Sequence, residues 1–455
     1  MHAFDRDQRT VFRYVTEPDV WQWPVPTLFD AVGDREAVTV FEGRWDGPLT
    51  ILTQYNLIGQ AFLEAIGASA LSGGDRGPVE AYLKLLRDGA SPVVSLIVLN
   101  EFDMLAHFHG PQSAEAQRAL SDSDALIGEI LDALAHTTGS RGSLLDETSL
   151  VLFGDHGMAQ SGHYIDLRDF FAERGLNAID VATVGHVLFR ERLGSLWTNW
   201  TDVILVAGGS NITQVYLKDP ERGWRAPLLD GADHPGAEND HDTVSRLAPD
   251  LARREGIGQV FWLEALDVVR VLAGDGSRAR VMARGEGPER VYAYLVEPDA
   301  ESDPFGYLAN PATRPLVCHG PSAASECFHS VTEWFDASVS TGYPGAVPLL
   351  PKAFRASQFA GDLMVAAARG YTFLRGQQGD HGNLDRQAML TPLIFNGPGV
   401  SACQERHQPR LVDIYPSVAV LLGAARDDPA LTDLDGRVLD CVANPASALR
   451  PGRRL

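Results

Sequence analysis

Apolar residues along the chain keep two rhythms. Short continuous runs at Val93–Leu99 and Val151–Phe153 predict buried strands, and those at Ala37–Phe41 and Gly361–Ala368 predict strands. Weaker strand-compatible runs lie at Leu49–Thr53, Val203–Ala207 and Gln214–Leu217, and VFWLEALDVVRVLAG and RVYAYLV read as strands or mixed segments. Helical spacing appears instead at Ile58–Ile66, at Glu80–Leu86 and from Ser113 to Ala135, where Leu120, Ile127, Ile130, Leu131 and Leu134 recur on the turn of a helix. Thr27 is placed to cap a short helix start at Pro26–Val32, and Leu411–Pro416 begins a helix predicted to run to Leu422 and stop at Gly423.

Chemistry gathers where the apolar runs end. Val93–Leu99 leads into Asn100-Glu101-Phe102-Asp103-Met104-Leu105-Ala106-His107-Phe108-His109-Gly110, and Val151–Phe153 into Gly154-Asp155-His156-Gly157-Met158. Strand, ionisable residues, helix, strand and ionisable residues again is the order of a βαβ unit, which would put both sets at one edge of a sheet. A third cluster, Gly379-Asp380-His381-Gly382, follows a later strand. Each residue has an ordinary explanation, since a loop Asp caps helices and a His is often a satisfied polar group. Together Asp103, His107, Asp155, His156 and His381 are oxygen and imidazole donors of the kind that hold Zn²⁺, or Mn²⁺ or Fe with more oxygens. Such a set serves hydrolysis at phosphorus or sulphur. His109 is expected behind the ligands rather than among them, His234 and His241 in a solvated polar loop, and Asp362 and Asp413 in structural roles.

Composition narrows the partners. The 455 residues, 45% hydrophobic, suffice for a large core, and a formal charge of −22 disfavours bulk nucleic acid while leaving a small phosphate ester or nucleotide open once metal ions reverse the local field. The four cysteines, Cys318, Cys327, Cys403 and Cys441, show no CxxC spacing and are expected as free thiols of a reducing compartment. The start MHAFDRDQRT has no basic or apolar signal region and no run approaches a membrane span, so a cytoplasmic protein with no membrane partner is expected. Oligomeric state is left open.

The motifs Asp103-x-x-x-His107-x-x-Gly110-Pro111, Asp124-x-x-Ile127-Gly128, Gly154-Asp155-His156-Gly157-Met158, Gly361-Asp362-Leu363, His381-Gly382 and Val412-Asp413-Ile414-Tyr415-Pro416 resemble, in this order, the alkaline phosphatase superfamily. Within it they are similar to the type I phosphodiesterase and nucleotide pyrophosphatase branch, and Asp303-Pro304-Phe305-Gly306-Tyr307 and PLIFNGPG are similar to bacterial members. The resemblance implies an α/β fold with a central sheet between helices over a two-zinc site. Asp103, His107 and His381 match the ligands of one ion, Asp155 and His156 those of the other. The resemblance spans about residues 25–440, and the order of segments along the chain gives an expected core of 25–162 and 351–440, with 163–350 as insertions and a capping α+β subdomain and the Pro- and Arg-rich 441–455 as a loose tail. The family's Asp after its first strand and its Thr or Ser nucleophile are not recognisable here. Thr27 matches a position beyond that nucleophile and is not assigned the role, so weak or absent turnover is expected. A catalytically inactive metal- or ligand-binding relative is one alternative. A phosphomonoesterase or sulfatase-like hydrolase is another, although the sulfatase motif, Cys or Ser followed by x-Pro-x-Arg, is missing and Cys403 and Cys441 lie too late to supply it.

Overall fold

The structure, a computed structural model, describes residues 74–181, 198–209, 211–220, 223–224, 237–297, 302–319, 327–355 and 359–443, with the strand segments 2–5, 10–13, 37–40 and 49–51. The chain divides into two units, one of Met1–Val20 and His156–Thr391, the other of Trp21–Asp155 and Pro392–Leu455. In the first unit, His2–Asp5 (β1) and Thr10–Arg13 (β2) pair antiparallel. The helices expected at Pro26–Val32 and Ile58–Ile66 lie outside the described residues.

The second unit opens with Ala37–Val40 (β3), which runs parallel to both Leu49–Ile51 (β4) and Val94–Ile97 (β5). Arg76–Arg87 (α1) and Ala114–His136 (α3) follow the predicted helical spacing, and Glu101–His109 (α2) is a further helix in the stretch that reads only as ionisable residues after a strand. Ser113 caps α3, its hydroxyl accepting the Ala116 N–H at 3.1 Å. The face α3 buries carries Ala116, Ala119, Leu126 and Leu134, whereas Leu120, counted in the predicted stripe, is exposed. Small alanines occupy the first turns of that face, which hydrophobicity alone does not distinguish from a larger apolar neighbour. Leu134 packs with Tyr82 and Leu86 of α1 and with Leu144.

Leu150–Phe153 (β6) pairs antiparallel with Leu393–Asn396. The predicted βαβ unit is therefore not what forms: among the described residues β5 pairs with β3, and β6 belongs to a two-stranded ribbon. Nor is β6 the buried strand expected, since Leu152 and Phe153 are 45% and 38% exposed. An apolar run specifies extended chain but not its hydrogen-bonded partner, and a ribbon covers less of each face than a wide sheet.

The first unit is built on a ten-stranded sheet. Ala159–Tyr164 (β7) stands apart from it, and Leu167–Ala172 (α4) leads to Ala178–Asp180 (β8), Val203–Gly209 (β9) and Ile212–Leu217 (β10). Ala237–Ala252 (α5) begins within the stretch expected as a polar loop. Then come Ile257–Ala265 (β11), Val268–Ala273 (β12), Arg278–Arg284 (β13), Val291–Val296 (β14), Val317–His319 (β15) and His329–Ser330 (β16). Val331–Ser338 (α6) and Ala346–Ala353 (α7) precede Leu363–Ala367 (β17). The sheet order is β15-β14-β13-β12-β11-β17-β10-β9-β8, with β16 beside β14.

Strand alternation sorts the two faces. Leu363, Val365 and Ala367 of β17 pack with Val244, Leu247 and Leu251 of α5, while Met364 and Ala366 pack with Trp334 of α6 and Val347 and Leu350 of α7. A large sheet between helices, the expected fold class, is thus present within this unit, with nine of its ten strands in the 163–350 stretch that was expected to hold insertions and a capping subdomain. Each wholly buried aliphatic side chain in it stabilises the fold by roughly 1.5–3 kcal/mol. Asp303 of the DPFGY motif is structural: it accepts the Phe305, Tyr307 and Leu308 N–H groups and the Tyr294 hydroxyl. Gly370–Thr372 (β18) and Gly379–Asp380 (β19) flank β7 in a separate three-stranded sheet.

The chain returns to the second unit with β20, the Leu393–Asn396 strand already met, and Ile414–Leu421 (α8), which ends before Gly423 at φ +113° as predicted. Asp362 accepts the Leu217 N–H at 2.6 Å, and buried Asp413 accepts those of Arg410 and Arg437, the structural roles expected. The four-thiol expectation fails. Cys403 and Cys441 form a disulfide across Cα atoms 5.4 Å apart, because the Val400–Val442 bridge brings two stretches together that are remote in sequence. Cys318 and Cys327 are not joined in a disulfide, but with the other two paired the cysteines no longer argue for a reducing compartment. Among the described residues no helix is long and apolar enough to cross a membrane.

Candidate functional site

The helix that carries Asp103 and His107 is held at its start by a residue from a distant loop. Asn100 makes no side-chain cap, and Asp75 supplies one instead: its carboxylate accepts the Asn100 N–H at 2.9 Å and the Glu101 N–H at 3.1 Å. A carboxylate at a helix N-terminus also meets the positive end of the helix dipole. Asp75 is buried, and burial pushes its carboxyl above the ordinary value of 3.8 against the pull of the two N–H groups. Gly110, at φ +91°, closes α2 with its N–H on the Ala106 carbonyl at 2.8 Å.

Between these ends, residues four apart share one helix face. Asp103 Oδ1 and His107 Nε2 accordingly lie 3.6 Å apart, with His107 the more buried of the two. They offer a carboxylate oxygen and an imidazole nitrogen from one rigid element. His109, two residues further round the helix, is exposed.

In the other unit, His156 and His381 are brought together by strand register. β19 runs antiparallel to β7, with Gly379 opposite Gln160 and Asp380 opposite Ala159. The chain beyond Asp380 therefore passes the residues that precede Ala159, and the two imidazoles stack with centroids 3.5 Å apart at 15°. His156 Nδ1 lies 3.1 Å from the Gly157 carbonyl. A neutral ring donating Nδ1–H there keeps its Nε2 lone pair for a ligand role. Gly157 is required by space, since a Cβ would sit 2.0 Å from the Gln387 carbonyl oxygen, and its N–H donates to the Ala388 carbonyl at 2.8 Å. The His381 N–H donates to Asp380 at 2.8 Å, and Asp380 is fully buried.

Asp155 belongs to the other unit and is exposed, while Thr27 and His234 lie outside the described residues. His241 falls within α5. Asp103, His107 and His381 are side chains able to hold a metal ion. Cys403, Glu405 and Cys441 also cluster, but both sulphurs are committed to the disulfide and Glu405 accepts the Asp440 and Cys441 N–H groups. Asp75 and Asn211, a further anchor of the His381 turn, had no signal in the sequence, and Asp380 was visible only as a member of the Gly379–Gly382 cluster. A loop Asp or Asn carries no periodicity, and only the fold reveals which distant N–H it meets.

Residues 32–255 match the sequence profile of the family described as type I phosphodiesterase / nucleotide pyrophosphatase. The match takes in Asp103, His107, Asp155 and His156, and His381 lies beyond it. No curated protein matches. Among solved structures the chain is similar to murine ectonucleotide pyrophosphatase / phosphodiesterase 5, at 12% identity and a TM-score of 0.46 over 93% of this chain and 78% of that one. The human protein of that name gives the same figures, 12%, 0.46, 93% and 78%. An inactive form of the murine protein in complex with AMP gives 12% identity and a TM-score of 0.41 over 88% of this chain and 71% of that one.

Proposed function

We propose that the chain is a metal-dependent hydrolase of phosphoric esters, with a phosphodiester or nucleotide pyrophosphate as substrate class, on the footing that residues 32–255 match the type I phosphodiesterase / nucleotide pyrophosphatase family. The Asp103–His107 pair on one face of α2 carries this reading, because it presents hard oxygen and borderline nitrogen donors together. In the proposal Asp103, His107 and His381 hold one ion, and Asp155 and His156 a second. The donor chemistry fits Zn²⁺ first, then Mn²⁺ or Fe. When bound, such ions polarise a phosphoryl oxygen and acidify water. The protein's own part is to fix the donors: Asp75 holds the start of the ligand helix, and Gly157 and Asp380 hold the turns that carry His156 and His381.

Three side-chain ligands retain an ion more firmly than two, so the proposed sites differ in affinity. With no hydroxyl assigned as nucleophile, turnover is expected to be weak, and the same gap favours a second reading as a metal-binding relative without hydrolysis. Calorimetric titration with zinc, alongside hydrolysis of bis(p-nitrophenyl) phosphate with and without chelator, tests both. The expected result is one tight zinc per chain that is lost in His107→Ala and in His381→Ala, with slow, chelator-sensitive hydrolysis. Tight zinc binding with no hydrolysis selects the second reading. Zinc affinity unchanged in both variants would falsify the ligand assignment.

A further inference from the structure

Asn211 immediately precedes β10 and is nearly fully buried, and both its backbone N–H and its side-chain oxygen serve one turn of chain far away in sequence. Its backbone N–H donates to the His381 carbonyl at 3.3 Å, and its side-chain Oδ1 accepts the Asn383 N–H at 3.0 Å. Its own carbonyl accepts the Ala367 N–H at 2.9 Å, which ties the arrangement to β17 inside the ten-stranded sheet. One residue therefore grips both sides of His381-Gly382-Asn383. The grip matters because Gly382, at φ +104°, occupies the left-handed region that glycine enters freely, so the turn has little conformational preference of its own.

The hydrogen bonds continue beyond the turn. Asn383 Oδ1 accepts the Asp385 N–H at 2.8 Å, and Asp385 caps the short helix Arg386–Met389 by accepting the Gln387 N–H at 2.9 Å. The Ala388 carbonyl of that helix accepts the N–H of Gly157, the neighbour of His156. A path of hydrogen bonds thus runs from Asn211 to the turns that carry both stacked histidines. A direct bond from the Asn211 side chain to either ring is not needed for this effect, since fixing the backbone on both sides of His381 fixes where its imidazole can point.

We infer that Asn211 is a positioning residue for His381: its side-chain oxygen pre-sets the His381-Gly382-Asn383 turn so that the imidazole is ready to take a divalent cation. The inference rests on the reading of His381 as a ligand and adds a residue that touches no ion itself. Asn211→Ala removes the Oδ1 acceptor and keeps the two backbone bonds, whereas Asn211→Asp keeps an acceptor of the same reach.

Zinc titration of the full chain, with hydrogen exchange at the Asn383 amide, decides the matter. Asn211→Ala is expected to weaken zinc binding about 10- to 100-fold and to speed exchange at Asn383, and Asn211→Asp to recover affinity to within about threefold of wild type. Should Asn211→Ala fail to fold, Asn211→Ser, whose hydroxyl is too short to reach Asn383, replaces it with the same expectations. If the alanine or serine variant is folded and binds zinc as tightly as wild type while His381→Ala does not, Asn211 only packs and the inference is overturned. If His381→Ala itself leaves zinc affinity untouched, the ligand reading has failed instead, and the two failures are told apart by that one variant.

Discussion

Asp103 and His107 reach their 3.6 Å approach within a single turn of α2, whereas His156 and His381 reach ring contact at 3.5 Å only through the register of β7 and β19. The first pair is a property of local sequence and needs its helix to be started in the right place. The second depends on two strands, a glycine and a turn that must all agree. Local pairs are robust to changes elsewhere but depend on their cap, and pairs made by register concentrate their vulnerability where backbones approach most closely. Substitutions at those points separate the two modes.

The largest effect is expected at Gly157. An alanine Cβ there would meet the Gln387 carbonyl oxygen at 2.0 Å and that of Leu390 at 2.8 Å, both backbone atoms that cannot swing aside. Gly157→Ala should destabilise the first unit by about 3 kcal/mol, the upper end for overpacking, and weaken zinc binding through His381. Urea denaturation measures the first and calorimetry the second. A loss below about 0.5 kcal/mol would mean that the turn relaxes easily and that the register-built pair is no more fragile than the helical one.

Next comes the cap of the local pair. Asp75→Ala leaves the Asn100 and Glu101 N–H groups without their carboxylate, which should cost about 2 kcal/mol and reduce zinc affinity about tenfold as the start of α2 frays. Loss of stability with zinc affinity intact would break the claim that the cap sets the ligand geometry.

The same residue gives a pH dependence. Its folded pKa is raised above 3.8, chiefly by burial. Between the unfolded value and the raised folded one, the native chain keeps a proton that the unfolded chain has released. Stability contributed by Asp75 is then full below the window and lost as pH rises through it. Asp75→Asn, which cannot ionise, should remove this slope: the stability of wild type minus that of the variant falls with rising pH across the window and then levels. Unfolding curves at a series of pH values show the slope, and a difference that rises instead would mean that the two backbone N–H groups outweigh desolvation.

How much of this was readable beforehand follows from the same contrast. The DxxxH spacing and the Gly154–Met158 turn were legible because each is local, whereas the helix over Glu101–His109 was not, since its stretch reads only as ionisable residues after a strand. The sheet between helices could be expected from the motif resemblance, and the alternation along β17 shows why its run is apolar throughout. The partners of β5 and β6 were not legible, since a hydrophobic run records burial and not which strand it joins. The Cys403–Cys441 bridge escaped for a related reason: its two halves meet only because Val400 pairs with Val442. Asp75 and Asn211 mark the same boundary at the level of single hydrogen bonds.

The smallest effect serves as the control for the others. Gly128 lies inside α3, where a Cβ would meet no atom within 4 Å, and α3 carries neither ligand pair. Gly128→Ala should stabilise the chain by about 0.5–1 kcal/mol, because alanine loses less backbone freedom than glycine on entering a helix. Zinc affinity should stay within about twofold of wild type, because the added Cβ touches nothing and so displaces no ligand. If affinity instead rises in step with stability, zinc binding reports the folded fraction of the chain, and the losses predicted for Gly157→Ala and Asp75→Ala would no longer distinguish a pair fixed by register from one fixed by a helix. An unchanged affinity in a more stable protein makes those losses local, and the contrast between the two pairs then becomes a measured one.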